Sequence, residues 1–145
     1  DSYCTPCVVD WDEDHKKDIL LGSGSGTLLV YLNQGEDGEP LFSSPISVEI
    51  GGEELTVGSF AAPFVADWNS DGKKDLLVGD GDGYVHLFYN DTDGKPEFFK
   101  TEKIQLNSQE LMVEGAAVPF LIDWNQDGRK ELLLGSGDGR VSLFF

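Results

Sequence analysis

A-P-F-V-A-D-W-N-S-D-G-K-K-D-L-L-V-G, residues 62 to 79, joins two short apolar runs through a loop in which oxygen-bearing side chains alternate with turn formers. The loop returns twice, as D-W-D-E-D-H-K-K-D-I-L-L-G from Asp10 and D-W-N-Q-D-G-R-K-E-L-L-L-G from Asp123. Asp10 to Asp67 is 57 residues and Asp67 to Asp123 is 56. The single deletion falls between Asn90 and Pro96, against Asn33 to Pro40, in a turn where loops tolerate it. Pro6, Pro63 and Pro119 hold one place in the repeat. A period of this length, with whole segments in register, means one supersecondary unit used again.

Inside a repeat the apolar stretches are brief: Phe64 to Ala66, Leu76 to Val78, Val85 to Tyr89, and a fourth around Ile104 to Leu106. Between them stand Asn-Ser-Asp-Gly, Gly-Asp-Gly-Asp-Gly and Asp-Thr-Asp-Gly, the residues that tight hairpins need for positive φ. Four strands per repeat, connected as an antiparallel meander, follow. Runs such as Leu132 to Leu134 are apolar on both faces, as in sheets covered front and back. The expectation is an all-β chain of β-propeller-type, four-stranded antiparallel blades, with a sandwich or solenoid of the same hairpins as the alternative. Its repeats run over 1–58, 59–115 and a partial 116–145 with three strands, about 2.75 blades. Propellers need about four blades, so either oligomerisation or a longer parent chain completes the ring.

Each loop offers oxygen at positions 1, 3, 5 and 9: Asp10, Asp12, Asp14 and Asp18; Asp67, Asn69, Asp71 and Asp75; Asp123, Asn125, Asp127 and Glu131. Position 7, held by Lys16, Lys73 and Arg129, is free to add a backbone carbonyl. Ca²⁺ takes about six to eight such hard donors, whereas Mg²⁺ keeps its waters. Gly72 and Gly128 permit the sharp turn at position 6, but His15 stands there in the first loop, which predicts a strained or weaker site. An EF-hand would need an acid at position 12, where Leu21, Val78 and Leu134 stand.

These residues resemble the FG-GAP/VCBS-type calcium-binding propeller repeats found in integrin α-subunit heads, some fungal lectins and secreted bacterial proteins. The match covers nearly the whole chain, and residues 62–79 look like the bacterial version. The resemblance implies that the D-x-[DN]-x-D-G-x-x-D loop binds Ca²⁺ on the hairpin between the first two strands of a blade, about three ions in all. His15 and Glu131 depart from that pattern.

Acidic residues number 27 against 10 basic, a net charge of −17 that repels phosphate backbones and anionic lipid, so neither nucleic acid nor membrane insertion is expected. Three divalent ions would add six positive charges and leave −11. No apolar run approaches the roughly 18 residues of a membrane span, and Asp1 in place of Met points to a processed or excised chain. Cys4 and Cys7 form a lone C-x-x-C, read as a local disulfide across a Thr5-Pro6 turn, with free thiols or a bond to another subunit as alternatives. Trp11, Trp68 and Trp124 read as blade packing, with sugar stacking as the alternative; His86 reads as a variable strand face. No Gly-Lys-Ser/Thr follows the glycine-rich turns, and two histidines supply neither a triad nor a histidine metal centre. The function expected is an extracellular or cell-surface, Ca²⁺-stabilised structural or adhesive module, not an enzyme. It is expected to form a homo-oligomer or polymer and to meet a protein or glycan ligand. Its rivals are a carbohydrate-binding lectin and a fragment of a polysaccharide-active enzyme.

Overall fold

A computed structural model describes residues 3–145, among which all regular structure is β. The first blade is β1 (Cys4–Val9), β2 (Asp18–Ser23), β3 (Leu28–Tyr31) and β4 (Ile46–Ser47). A linker follows with β5 (Glu49–Ile50) and β6 (Glu53–Glu54). The second blade is β7 (Ala62–Ala66), β8 (Asp75–Gly79), β9 (Val85–Asn90) and β10 (Phe98–Lys103), and its linker holds β11 (Gln105–Leu106) and β12 (Gln109–Glu110). The third has β13 (Val118–Ile122), β14 (Glu131–Gly135) and β15 (Val141–Phe144).

Within each blade successive strands pair antiparallel, so the connection is a meander. The first linker returns to the next blade: Ile50 pairs in parallel with Phe98, and the Gly51 N–H donates to the Phe98 carbonyl at 2.9 Å. The hydrophobic cores lie between blades. One gathers Leu20, Leu28 and Val30 against Leu76, Val78 and Phe88; the other gathers Leu77, Val85 and Leu87 against Leu121, Leu132 and Leu134. Burial follows from this stacking. All five residues of β8, in the middle blade, are buried, whereas β2 and β13 alternate because only one of their faces is covered.

Two expectations need correction. The fourth strand of the second repeat is Phe98–Lys103, ahead of the apolar residues at Ile104 to Leu106. It is an outer strand burying only Phe98, and its exposed Lys100, Thr101 and Glu102 hide it from an apolar pattern. Ile104 instead tucks into the second core, its N–H donating to the Val85 carbonyl at 2.9 Å. Cys4 and Cys7 are free thiols on β1, opposite Ser23 and Leu20, and Thr5-Pro6 is strand, not turn. Three residues of strand span about 10 Å, beyond the roughly 7 Å a disulfide can bridge, and an odd spacing points the two side chains to opposite faces. Burial pushes the Cys7 thiol up.

Candidate metal centres

Each acidic loop is the hairpin between the first two strands of a blade: β1–β2, β7–β8 and β13–β14. Two left-handed residues wrap it. Position 6 is left-handed in Gly72 (φ 88°), Gly128 (φ 89°) and His15 (φ 68°), and position 4 in Glu13, Ser70 and Gln126 (φ 64°, 62° and 61°). A side chain at positive φ costs about 1 kcal/mol or more relative to glycine, so the first loop holds the same turn at greater cost.

This wrapping turns the position 1 carboxylate back over the loop's own amides. Asp67 accepts the Asp71 N–H at 3.1 Å and the Gly72 N–H at 3.0 Å; Asp123 accepts the Asp127 and Gly128 N–H groups at 3.0 Å each. Position 5 accepts from position 7: Lys16, Lys73 and Arg129 N–H groups donate to Asp14, Asp71 and Asp127 at 2.9, 2.8 and 2.8 Å. Position 3 differs between loops. Asn69 and Asn125 donate their amides to Asp71 and Asp127 at 2.9 and 3.0 Å. The Lys73 N–H and then the Asn69 amide hold Asp71 below the usual carboxylate range.

The first loop carries Asp12 where the others have asparagine, and its charges converge. Asp10, Asp12 and Asp18 each bring a carboxylate oxygen within 4.8 Å of the others. Asp10 Oδ1 and Asp12 Oδ1 are buried without a hydrogen-bond partner. Three carboxylates at this spacing repel one another, and two desolvated oxygens facing no donor are costly unless a cation is present. The set is all hard oxygen and fits Ca²⁺. Asp10, Asp12 and Asp18 would hold the ion in this loop, and it would supply the positive charge that they lack.

Position 9 does more than the spacing suggested. Asp18 and Asp75 are fully buried and Glu131 is nearly so. Asp18 accepts the Trp11 N–H at 2.7 Å and the Asn33 N–H at 2.8 Å; Asp75 accepts those of Trp68 and Asn90 at 2.9 and 3.0 Å. Glu131 accepts the Trp124 N–H at 2.7 Å. In the first two blades the residue thus ties the start of the loop to the end of the third strand. Asn33 and Asn90, missed in the sequence, extend this tie: both are buried, and their Oδ1 atoms accept the N–H groups of Gly35 and Leu41 and of Thr92 and Glu97. Their signal was repetition at one place, where the third strand ends.

Lysines at position 8 join neighbouring loops. The Lys74 ammonium donates to the Asp10 carbonyl, and that of Lys130 to the Asp67 carbonyl at 3.0 Å. Trp11 is buried against Phe98, Trp68 is half-buried against the second core, and Trp124 is 58% exposed. His86 is not an idle strand face, since its Nε2 lies 2.7 Å from Asp80 Oδ2. A groove of about 310 Å³ opens between the first two blades, beside Ile46, Lys95, Glu97 and Phe99.

The family model described as FG-GAP-like repeat matches residues 10–78 and, overlapping them, 67–134. No curated protein matches the chain.

Proposed function

This chain belongs to the FG-GAP-like repeat family, and from that premise we propose that it is an extracellular, calcium-stabilised blade module with a structural or adhesive role and no catalytic one. The carrying observation is the first loop, where Asp10, Asp12 and Asp18 converge and two buried oxygens have no donor. A bound Ca²⁺ offsets that repulsion and fastens β1 to β2. The second and third loops carry the same side-chain pattern with one charge fewer; the added carboxylate of Asp12 outweighs the strained turn at His15, so the first loop binds the ion more tightly than they do, the reverse of what His15 alone predicts. Extracellular modules of this donor type fill at about 10⁻⁴ to 10⁻³ M calcium, a range met mainly outside cells. The blades act by stacking on further blades, and their outer surfaces meet a protein or glycan.

Isothermal titration with CaCl₂ tests the reading. Saturation at a whole number of sites up to three is expected, with the tightest lost in Asp12→Ala. No heat of binding at millimolar calcium would sink it. The groove beside Phe99, 68% exposed, favours a second reading as a glycan-binding module. Binding on a glycan array that disappears in Phe99→Ala would establish that reading.

A further inference from the structure

Between the first and second blades, one side chain starts inside the donor set of one acidic loop and ends on the donor set of the other. Lys74 is position 8 of the second loop. Its neighbours are Lys73, whose N–H donates to Asp71 at 2.8 Å, and Asp75, which is fully buried and accepts the Trp68 and Asn90 N–H groups. The Lys74 backbone thus runs between the position 7 carbonyl and the position 9 carboxylate, both of which the second loop offers to its own ion. The side chain leaves that loop. Its ammonium, 27% exposed, donates to the Asp10 carbonyl of the first loop and lies 3.6 Å from Glu13 Oε1.

The carbonyl reached belongs to the peptide group between Asp10 and Trp11, and the N–H of that same group donates to Asp18 Oδ2 at 2.7 Å. This peptide is therefore pinned at both ends, by position 9 of its own loop and by the lysine of the next blade. Its orientation sets where the Asp10 carboxylate points, and Asp10 Oδ1 is one of the two buried oxygens that face no donor. The arrangement recurs one blade further on. There the Asp67 carbonyl accepts the Lys130 ammonium at 3.0 Å, while the Trp68 N–H donates to Asp75 Oδ2 at 2.9 Å. Lys130 in turn stands between Arg129 and Glu131 of the third loop.

We propose that Lys74 couples the first two metal centres, so that an ion in the second loop tightens the first, and that Lys130 links the third centre to the second in the same way. Calcium taken up by the second loop fixes residues 73–75. The lysine stem is then held where its ammonium meets the Asp10 carbonyl, which keeps Asp10 turned toward Asp12 and Asp18. With the second loop empty, those residues move more freely, and ordering the long side chain for the same bond costs more conformational entropy. Repulsion between the two ions works against the coupling, but it is screened beyond about 8–10 Å near physiological ionic strength. Coupling is reciprocal, so an ion in the first loop also favours the second. This proposal rests on the reading above that the loops hold calcium.

Isothermal calcium titration of the whole chain at physiological ionic strength tests it through a double-mutant cycle. Asp71→Ala disables the second loop, and Lys74→Met removes the link while keeping most of the apolar stem. The first loop is followed as the tightest site, the one lost in Asp12→Ala. Asp71→Ala is expected to weaken that site about fivefold, the low end of typical couplings, because the lysine stem is flexible and partly exposed. In the Lys74→Met background the same substitution is expected to change it by less than about twofold, as for independent sites. Lys74→Arg, which keeps a charged donor, restores the fivefold loss. The charge removed at position 71 is common to both backgrounds and cancels in the comparison. An equal loss in both backgrounds overturns the coupling, as does a first site indifferent to Asp71→Ala. A chain that takes up no calcium sinks the metal reading and the coupling with it, whereas calcium uptake with additive losses overturns the coupling alone.

Discussion

Asp75 is fully buried, and its two oxygens take one N–H from Trp68 and one from Asn90. Replacing it with asparagine keeps the shape but leaves one acceptor oxygen and turns an amide N–H toward a backbone N–H. A loss of about 1–3 kcal/mol is expected in urea unfolding of Asp75→Asn, the cost of stranding a buried donor. A change under about 0.5 kcal/mol would mean that the tie carries no load. The position was legible as an oxygen donor because it recurs with Asp18 and Glu131. Its partners were not, because the Asn90 N–H is 15 residues downstream and backbone donors look alike in every sequence. The cysteines show the reverse case. C-x-x-C reads as a turn when taken alone, but pairing with β2 straightens it into strand.

Gly22, Gly79 and Gly135 look equivalent along the chain, and only the stacking of blades separates them. In Gly79→Ala the new Cβ meets a backbone carbonyl of the next blade, which cannot give way unless the blades part. A destabilisation of about 3 kcal/mol or more is expected by thermal unfolding, at the upper end of overpacking costs. Gly135→Ala stays within about 0.5 kcal/mol. Equal effects at the two positions would contradict the stacking. Three strands of each repeat were legible from their apolar runs and turn chemistry. The fourth, β10, was displaced in the reading because an outer strand with one buried residue is held by its hydrogen bonds to β9 and leaves almost no apolar mark. The gradient from buried Trp11 to exposed Trp124 has the same origin, since one residue type sits under a neighbouring blade in one repeat and at a free face in another.

At the scale of the molecule, a net charge of −17 on 145 residues opposes compaction. With calcium chelated, the unfolding midpoint is expected to rise as NaCl is added, because exposed carboxylates are screened beyond about 8–10 Å near physiological ionic strength. With calcium at 100 times its dissociation constant, each site filled only in the folded state adds about 2.7 kcal/mol. Differential scanning calorimetry with and without chelator checks both trends, and a midpoint indifferent to calcium would contradict the metal reading. The repeat, the all-β class and the family were determined by the sequence alone, because periodic apolar runs and glycine-aspartate turns are local signals that do not depend on what lies across the interface. Which carboxylates crowd together, which lysine reaches the neighbouring loop and which glycines lie against a carbonyl of the next blade were decided only by the tertiary structure. Those properties depend on how one blade lies against the next, and residues at equivalent places in the repeat acquire different surroundings from that stacking.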